Sequence, residues 1–259
     1  MKRSLTLVAL FTLLALLLVA CGGGGGGTTQ KAPIQIGTSA DYPPYESKDQ
    51  SNNFVGFDMD LIREVGKRSG HDVQIVDMSF DGLIAAVQAG KVDGVIAAMQ
   101  ATDARKQQVD FSKPYHFVSD SFLSNPKNDI PMKSAKDAAG HKIGVQTGTI
   151  QEKWVLDNLV TPGLTKADQV SHYDRADNAA LDLQAGRIDL VLVIADAGKK
   201  LADQLGLKVA LVTKETVSAG QAIAVKKGNT ALLDEINKAI DSMQQDGTID
   251  QLMKKYNLQ

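Results

Sequence analysis

Arg105 is the side chain whose type and setting most clearly call for a partner. Thr102-Asp103-Ala104-Arg105-Lys106 reads as a helix start with Arg105 in the first turn, where a cation opposes the helix dipole unless an anion is present. A guanidinium is a planar fork that binds a carboxylate through two parallel charge-assisted bonds, which lysine cannot reproduce. On residue type alone the same arginine also reads as an ordinary surface residue. Signatures of covalent, metal or phosphate chemistry are missing. There is no nucleophile elbow, and the four histidines at 71, 116, 141 and 172 have no partner at ligand spacing. Gly144-x-x-x-Gly148 lacks the lysine of a phosphate loop. The sequence points to binding rather than turnover, with no cofactor and no metal.

The elements that must carry Arg105 alternate between strand-like and helix-like runs. Ile34–Gly37 reads as a strand, ended by the turn-rich 39–46 with Pro43-Pro44. Phe57–Arg68 places apolar residues at 57, 59, 61, 62 and 65, close to helical spacing, and Gly70 ends it. Strand Val73–Val76, helix Asp81–Gln88 and strand Val92–Ala98 follow. This alternation predicts βαβ units and an α/β fold.

Two stretches echo one another. Leu83–Ala97 reads LIAAVQAGKVDGVIA and Ala179–Val193 reads AALDLQAGRIDLVLV, 96 residues further on. Each has Gln-Ala-Gly, a cation, a β-branched residue, an Asp and an apolar strand. Gly90 and Gly186 fall where a helix C-terminal cap is needed. Helix, glycine and strand recur in many α/β chains, but the shared run of six positions favours two similar lobes. The lobe boundary is expected near Phe117–Phe122, with a first lobe of 32–118 plus 220–259 and a second of 119–219. Gln221–Val225 is expected as a strand, followed by helices Thr230–Gln245 and Thr248–Tyr256. If those helices return to the first lobe, the chain crosses twice and the two crossings form a hinge.

The first residues predict export. Met1-Lys2-Arg3 is basic, and Leu5–Ala20 is an apolar and Thr run too short for a helix across a bilayer, which needs roughly 20 residues. Residues 1–20 therefore read as a signal segment. Leu18-Val19-Ala20-Cys21 closes it with the only cysteine of the chain, which excludes a disulfide framework. Gly22–Gly27, within 21–31, reads as a flexible tether. Leaving out Lys2 and Arg3 from 28 cations gives 26 against 30 acids, a net charge of −4. With no basic run and few aromatics, nucleic acid is not an expected partner.

GTSADYPPYE (37–46), VGFDMDL (55–61), FDGLI (80–84), TDARKQQVDFSKPY (102–115), KIGVQTGTIQE (142–152) and DGTIDQLMKKY (246–256) together resemble the polar amino acid solute-binding proteins of ABC importers. The resemblance covers essentially the whole chain after the tether. It implies a two-lobed α/β fold of the type II periplasmic-binding-protein class, with the ligand in the cleft between lobes and two hinge crossings. It also implies a monomer that delivers its amino acid to a transporter permease. LVAC resembles a bacterial lipobox, which implies a lipid on Cys21 and a membrane anchor; otherwise Cys21 is incidental.

The resemblance puts Arg105 on the ligand's α-carboxylate, with Thr149, Ile150 and Gln151 meeting it from a helix start in the second lobe. Tyr42 and Phe80 match two aromatics that sandwich the ligand side chain, and Ala97, Ala98 and Gln146 complete the lining. Three positions depart from the pattern. Ser39 stands where many members have Asp, and Gln100 where a small hydroxyl residue is usual. Ile194 stands where an acid binds the α-ammonium, and Asp196, two residues on, is the expected substitute. Rings with Asp41 and Glu46 nearby favour a cationic side chain, with arginine ahead of lysine, histidine and glutamine. Cyclohexadienyl dehydratases resemble the same family, so an enzyme on this scaffold is the alternative.

Overall fold

The computed structural model describes residues 31–128, 130–216 and 219–258. The signal segment, Cys21 and the tether up to residue 30 lie outside the described residues. The first part of the chain runs β1 (Ile34–Thr38), β2 (Ser47–Lys48), β3 (Phe54–Val55), α1 (Phe57–Ser69), β4 (Val73–Asp77), α2 (Leu83–Gln88), β5 (Gly94–Val95), α3 (Asp103–Lys106) and β6 (Val109–Phe111). The middle runs β7 (Asp120–Ser124), β8 (Ile143–Gln146), α4 (Ile150–Val155), β9 (Val170–Tyr173), α5 (Ala176–Gln184), β10 (Leu190–Ile194), α6 (Ala195–Leu205) and β11 (Lys208–Thr213). β12 (Ala224–Lys226), α7 (Thr230–Gln245) and α8 (Thr248–Tyr256) close it.

Two five-stranded sheets result, in the orders β4-β1-β5-β12-β6 and β9-β8-β10-β7-β11. In each, three parallel strands are followed by antiparallel ones. The echo occupies equivalent places in both, leading into β5 and β10. Its aspartates do the same work. Asp93 accepts from the Gln35 N–H at 2.8 Å and Asp189 from the Lys142 N–H at 2.9 Å, each at the start of the neighbouring strand. Gly90 and Gly186 have φ of 70° and 73°, the left-handed conformation that stops the helix and that glycine adopts without a Cβ penalty.

Helix α1 forms because its apolar residues fall on one stripe. Phe57, Met59, Leu61, Ile62 and Val65 are all fully buried, worth about 1.5–3 kcal/mol apiece. The closing helices α7 and α8 pack against α1. There the Arg68 guanidinium donates to Ser242 and Thr248, while Asp60 accepts from Lys255 and Tyr256. The C-terminus thus returns to the first sheet. Residues 112–119 connect the sheets, and Gln221, shortly before β12, lies beside them: Tyr115 N–H donates to the Gln221 carbonyl at 2.9 Å and Gln221 N–H to the His116 carbonyl at 2.8 Å.

Two expected strands are shorter than the apolar pattern suggests. The run Val92–Ala98 pairs only as β5, because Ala98 turns to φ 48° and gives its N–H to the Asp58 carboxylate at 2.6 Å. Gln221 makes isolated bridges to Gln100 and His116, so the ladder of β12 starts at Ala224.

Candidate functional site

Arg105 stands in α3, whose cap is Thr102: its Oγ1 accepts from the Arg105 N–H at 3.3 Å. Arg105 is 8% exposed. Nη1 donates to the Gln100 carbonyl at 2.9 Å and Nη2 reaches the other lobe, donating to the Gly148 carbonyl at 3.0 Å. The Phe80 ring lies 5.3 Å away, in cation–π range. Among the described residues no carboxylate pairs with it. Burial lowers its pKa to about 10, so it stays cationic at neutral pH. A desolvated cation with only carbonyls and a ring as company is a site for an anion.

That anion site borders a cavity between the two sheets. Ser39, Tyr42, Phe80, Ala97, Ala98 and Gln100 line it with Arg105 on the side of the first sheet. Gln146, Thr149, Ile150 and Gln151 line it from the second. Thr149 caps α4, its Oγ1 accepting from the Glu152 N–H at 3.1 Å. The first N–H groups of a helix have no partner within it, and Ile150 and Gln151, the first two residues of α4, border the cavity. Asp41, Glu46 and Ile194 complete the wall.

The lobes are closed on one another by polar contacts around the cavity. The Tyr42 hydroxyl accepts from the Ile194 N–H at 2.7 Å. Asp41 accepts from Gln146 Nε2 at 3.2 Å and from the Ala176 N–H at 2.5 Å. Arg175 pairs with Asp77 at 2.9 Å and stands 3.6 Å from Asp41.

The cavity wall also carries acid through Asp41 and Glu46, and Asp58 lies buried against Glu46. Glu46 and Asp58 are fully buried and hydrogen-bonded to each other. Glu46 Oε2 and Asp58 Oδ1 are buried and receive no hydrogen bond from any donor among the described residues. Two such oxygens can meet only by sharing a proton, since carboxylates accept and do not donate. Asp58 Oδ2 accepts from the Ala98 N–H and, at 2.9 Å, from the Tyr115 hydroxyl. Burial pushes Asp58 up to about 6, these hydrogen bonds holding it lower than burial alone would. Glu46 is pushed well above the usual carboxyl range by burial and then by the charges of Asp58 and Asp41. Asp41 rises to about 6, again chiefly through burial. The pair therefore holds a proton more readily than free carboxyls do, and a cation arriving in the cavity would favour its release.

Residues 34–259 match the family of bacterial extracellular solute-binding proteins, family 3. The chain belongs to this family. A probable histidine-binding protein of Campylobacter jejuni is 36% identical over 227 residues, covering 87% of this chain and 85% of that protein. The arginine-binding extracellular protein ArtP of Bacillus subtilis is 34% identical over 229 residues, covering 87% and 86%. The solved structure of an ancestral arginine-binding protein bound to arginine superposes with a TM-score of 0.81 at 36% identity, covering 88% of this chain and 99% of that one. These relatives are binding proteins, and this family 3 member is a solute-binding protein rather than an enzyme. Membership makes it an exported protein with the two-lobed type II periplasmic-binding-protein fold.

Within this family 3 protein, one expected cleft residue lies elsewhere. Asp196 is not among the residues lining the cavity. β10 ends at Ile194 and α6 begins at Ala195, and the helical rotation carries Asp196 toward the hinge. There it accepts from the Tyr45 hydroxyl at 2.9 Å and stands 3.7 Å from His116 Nε2. Ile194, not Asp196, faces the cavity. Two buried acids that shape the site have no place in the motif reading. Asp58 sits at helical spacing with Leu61, Ile62 and Val65, so a carboxylate on the buried stripe of α1 was a visible signal. Asp120, buried at the start of β7, accepts from Gln151 Nε2 at 2.8 Å and from the Thr216 hydroxyl. Nothing local in the sequence marks it.

Proposed function

We propose that this protein captures an amino acid with a cationic side chain, L-arginine before others, and delivers it as a monomer to an ABC importer. The observation that carries this reading is the polarity of one cavity, whose wall carries both a buried guanidinium without a carboxylate partner among the described residues, Arg105, and the buried acids Asp41 and Glu46. A ligand that fits is anionic at one end and cationic at the other, with a chain long enough to join them.

The cleft amide of Gln146 supports arginine over glutamine. It gives its nitrogen to Asp41. A carboxylate only accepts, so the amide presents its carbonyl oxygen to whatever else approaches. A guanidinium has five donors and no acceptor, whereas a carboxamide needs a donor for its own oxygen. The planar guanidinium also stacks on the rings of Tyr42 and Phe80, which the compact ammonium of lysine does less well. A melting-temperature screen of ligand-stripped protein against the twenty amino acids tests this, since a ligand specific for the folded state raises stability. L-arginine is expected to give the largest shift, followed by lysine or histidine. A shift with glutamine and none with arginine would overturn the reading.

The same proposal includes a lipid on Cys21, supported by its place after Leu18-Val19-Ala20 at the end of an export segment. Two or more acyl chains anchor a protein stably, and a single one only marginally. Cys21→Ser is expected to move the protein from the membrane fraction to the soluble extracytoplasmic fraction. Labelled fatty acid still incorporated into that variant would contradict it.

A further inference from the structure

Gln151 meets the cleft beside the anion site, one position after Ile150 and three after Gly148, whose carbonyl accepts from Arg105. Its amide nitrogen is held by Asp120 Oδ1, and Asp120 is fully buried with its other oxygen on Thr216. A carboxylate accepts only, so the nitrogen of Gln151 must face Asp120 and the carbonyl Oε1 is the end left for the cleft. Asp120 also stands directly across the β7–β10 pairing from Ile194, which lines the cavity with an apolar side chain that can accept nothing. The α-ammonium of an amino acid is attached to the same carbon as its carboxylate. It must therefore find an acceptor close to where Arg105 takes that carboxylate. Of the other cleft amides, Gln100 Oε1 already accepts from the Ala219 N–H, and the oxygen of Gln146, whose nitrogen is on Asp41, is the one left for the ligand's side chain, since only Gln151 is held by the acid paired across the sheet with Ile194.

We propose that Gln151 Oε1 receives the ligand's α-ammonium and that Asp120 is the positioning residue behind it, fixing the amide and supplying the negative charge one hydrogen bond away. The buried carboxylate polarises the amide toward the cleft, as chains of hydrogen bonds do in a low-dielectric interior. The direct acid is thereby replaced by a neutral contact backed by a charge. This rests on the amino-acid reading above.

Calorimetric titration of the full ligand-stripped chain with two probes tests it. L-arginine carries the α-amino group; 5-guanidinopentanoate has the same carboxylate and guanidinium without it. Asp120→Asn is expected to weaken L-arginine about tenfold and to leave 5-guanidinopentanoate unchanged, because only the former uses Gln151. Gln151→Met, which needs no change in the buried acid, is expected to show the same selective loss, and it decides the matter if Asp120→Asn fails to fold. Equal loss of both probes in the variants would reduce Asp120 and Gln151 to structural roles and overturn the proposal. Wild-type protein that binds neither probe would instead overturn the amino-acid reading itself.

Discussion

Arg105→Ala is expected to weaken L-arginine binding by about 2–5 kcal/mol, the cost of truncating one partner of a buried charge pair. The guanidinium is buried with no carboxylate partner among the described residues, so the ligand's carboxylate would be its only counter-charge. Arg105→Lys keeps the charge and loses the fork. It is expected to cost about 1.5–3 kcal/mol, the worth of a hydrogen bond to a charged group. Neither variant should unfold the protein, because relief of a desolvated, unneutralised charge offsets the two bonds lost to the Gln100 and Gly148 carbonyls. Calorimetry gives the affinities and the melting temperature without ligand gives the control. Unchanged affinity in Arg105→Ala would remove the carboxylate clamp from the account.

Glu46→Gln should have the next largest effect and the clearest pH signature. The substituted amide can still donate to Asp58 Oδ1, so it keeps the hydrogen bond that protonated Glu46 makes. It cannot ionise to meet a cationic side chain. Binding of L-arginine is expected to weaken by about 1.5–3 kcal/mol. In the wild type, a cation lowers the raised carboxyl pKa values, so binding releases protons and affinity rises as pH increases through about 6, the value for Asp41 and Asp58. The other titratable groups around the pair are Asp41, Tyr45, Tyr115 and His116. For the unliganded protein the sign is opposite. A carboxyl whose folded pKa lies above its unfolded value, about 4, contributes stability below that pH and loses it as pH rises through the folded value. The free protein should therefore lose stability between about pH 4 and 7, while the complex loses less. Titration in two buffers of different ionisation enthalpy counts the protons. Proton release equal in Glu46→Gln and wild type would show that Glu46 does not meet the ligand.

What the sequence made legible was local. The echo before β5 and β10 carries its own helix stop, its strand and an aspartate that ties the neighbouring strand, so reading one lobe nearly reads the other. The cap at Thr102 and the helix turn holding Arg105 were legible because they belong to five consecutive residues, whereas the burial of Arg105 depends on Phe80 and the Gly148 carbonyl, which are distant in the chain. Asp196 was misplaced because its direction depends on where β10 ends and α6 begins, and a junction shifted by one residue turns a helical side chain by about 100°. Asp120 stayed hidden because its role comes from cross-strand register with Ile194, between residues far apart in the chain. The shortened strand before Ala98 has a similar cause, a carboxylate from α1 that takes the Ala98 N–H.

The proposed site gives the ligand a direction: carboxylate toward Arg105, cationic end toward Glu46. A crystal structure of the protein with L-arginine measures it. The α-carboxylate is expected on the Arg105 guanidinium and the first turn of α4, with the ligand's guanidinium between the rings and within hydrogen-bond reach of Glu46. A ligand bound in the opposite direction, or with its carboxylate away from Arg105, would contradict it.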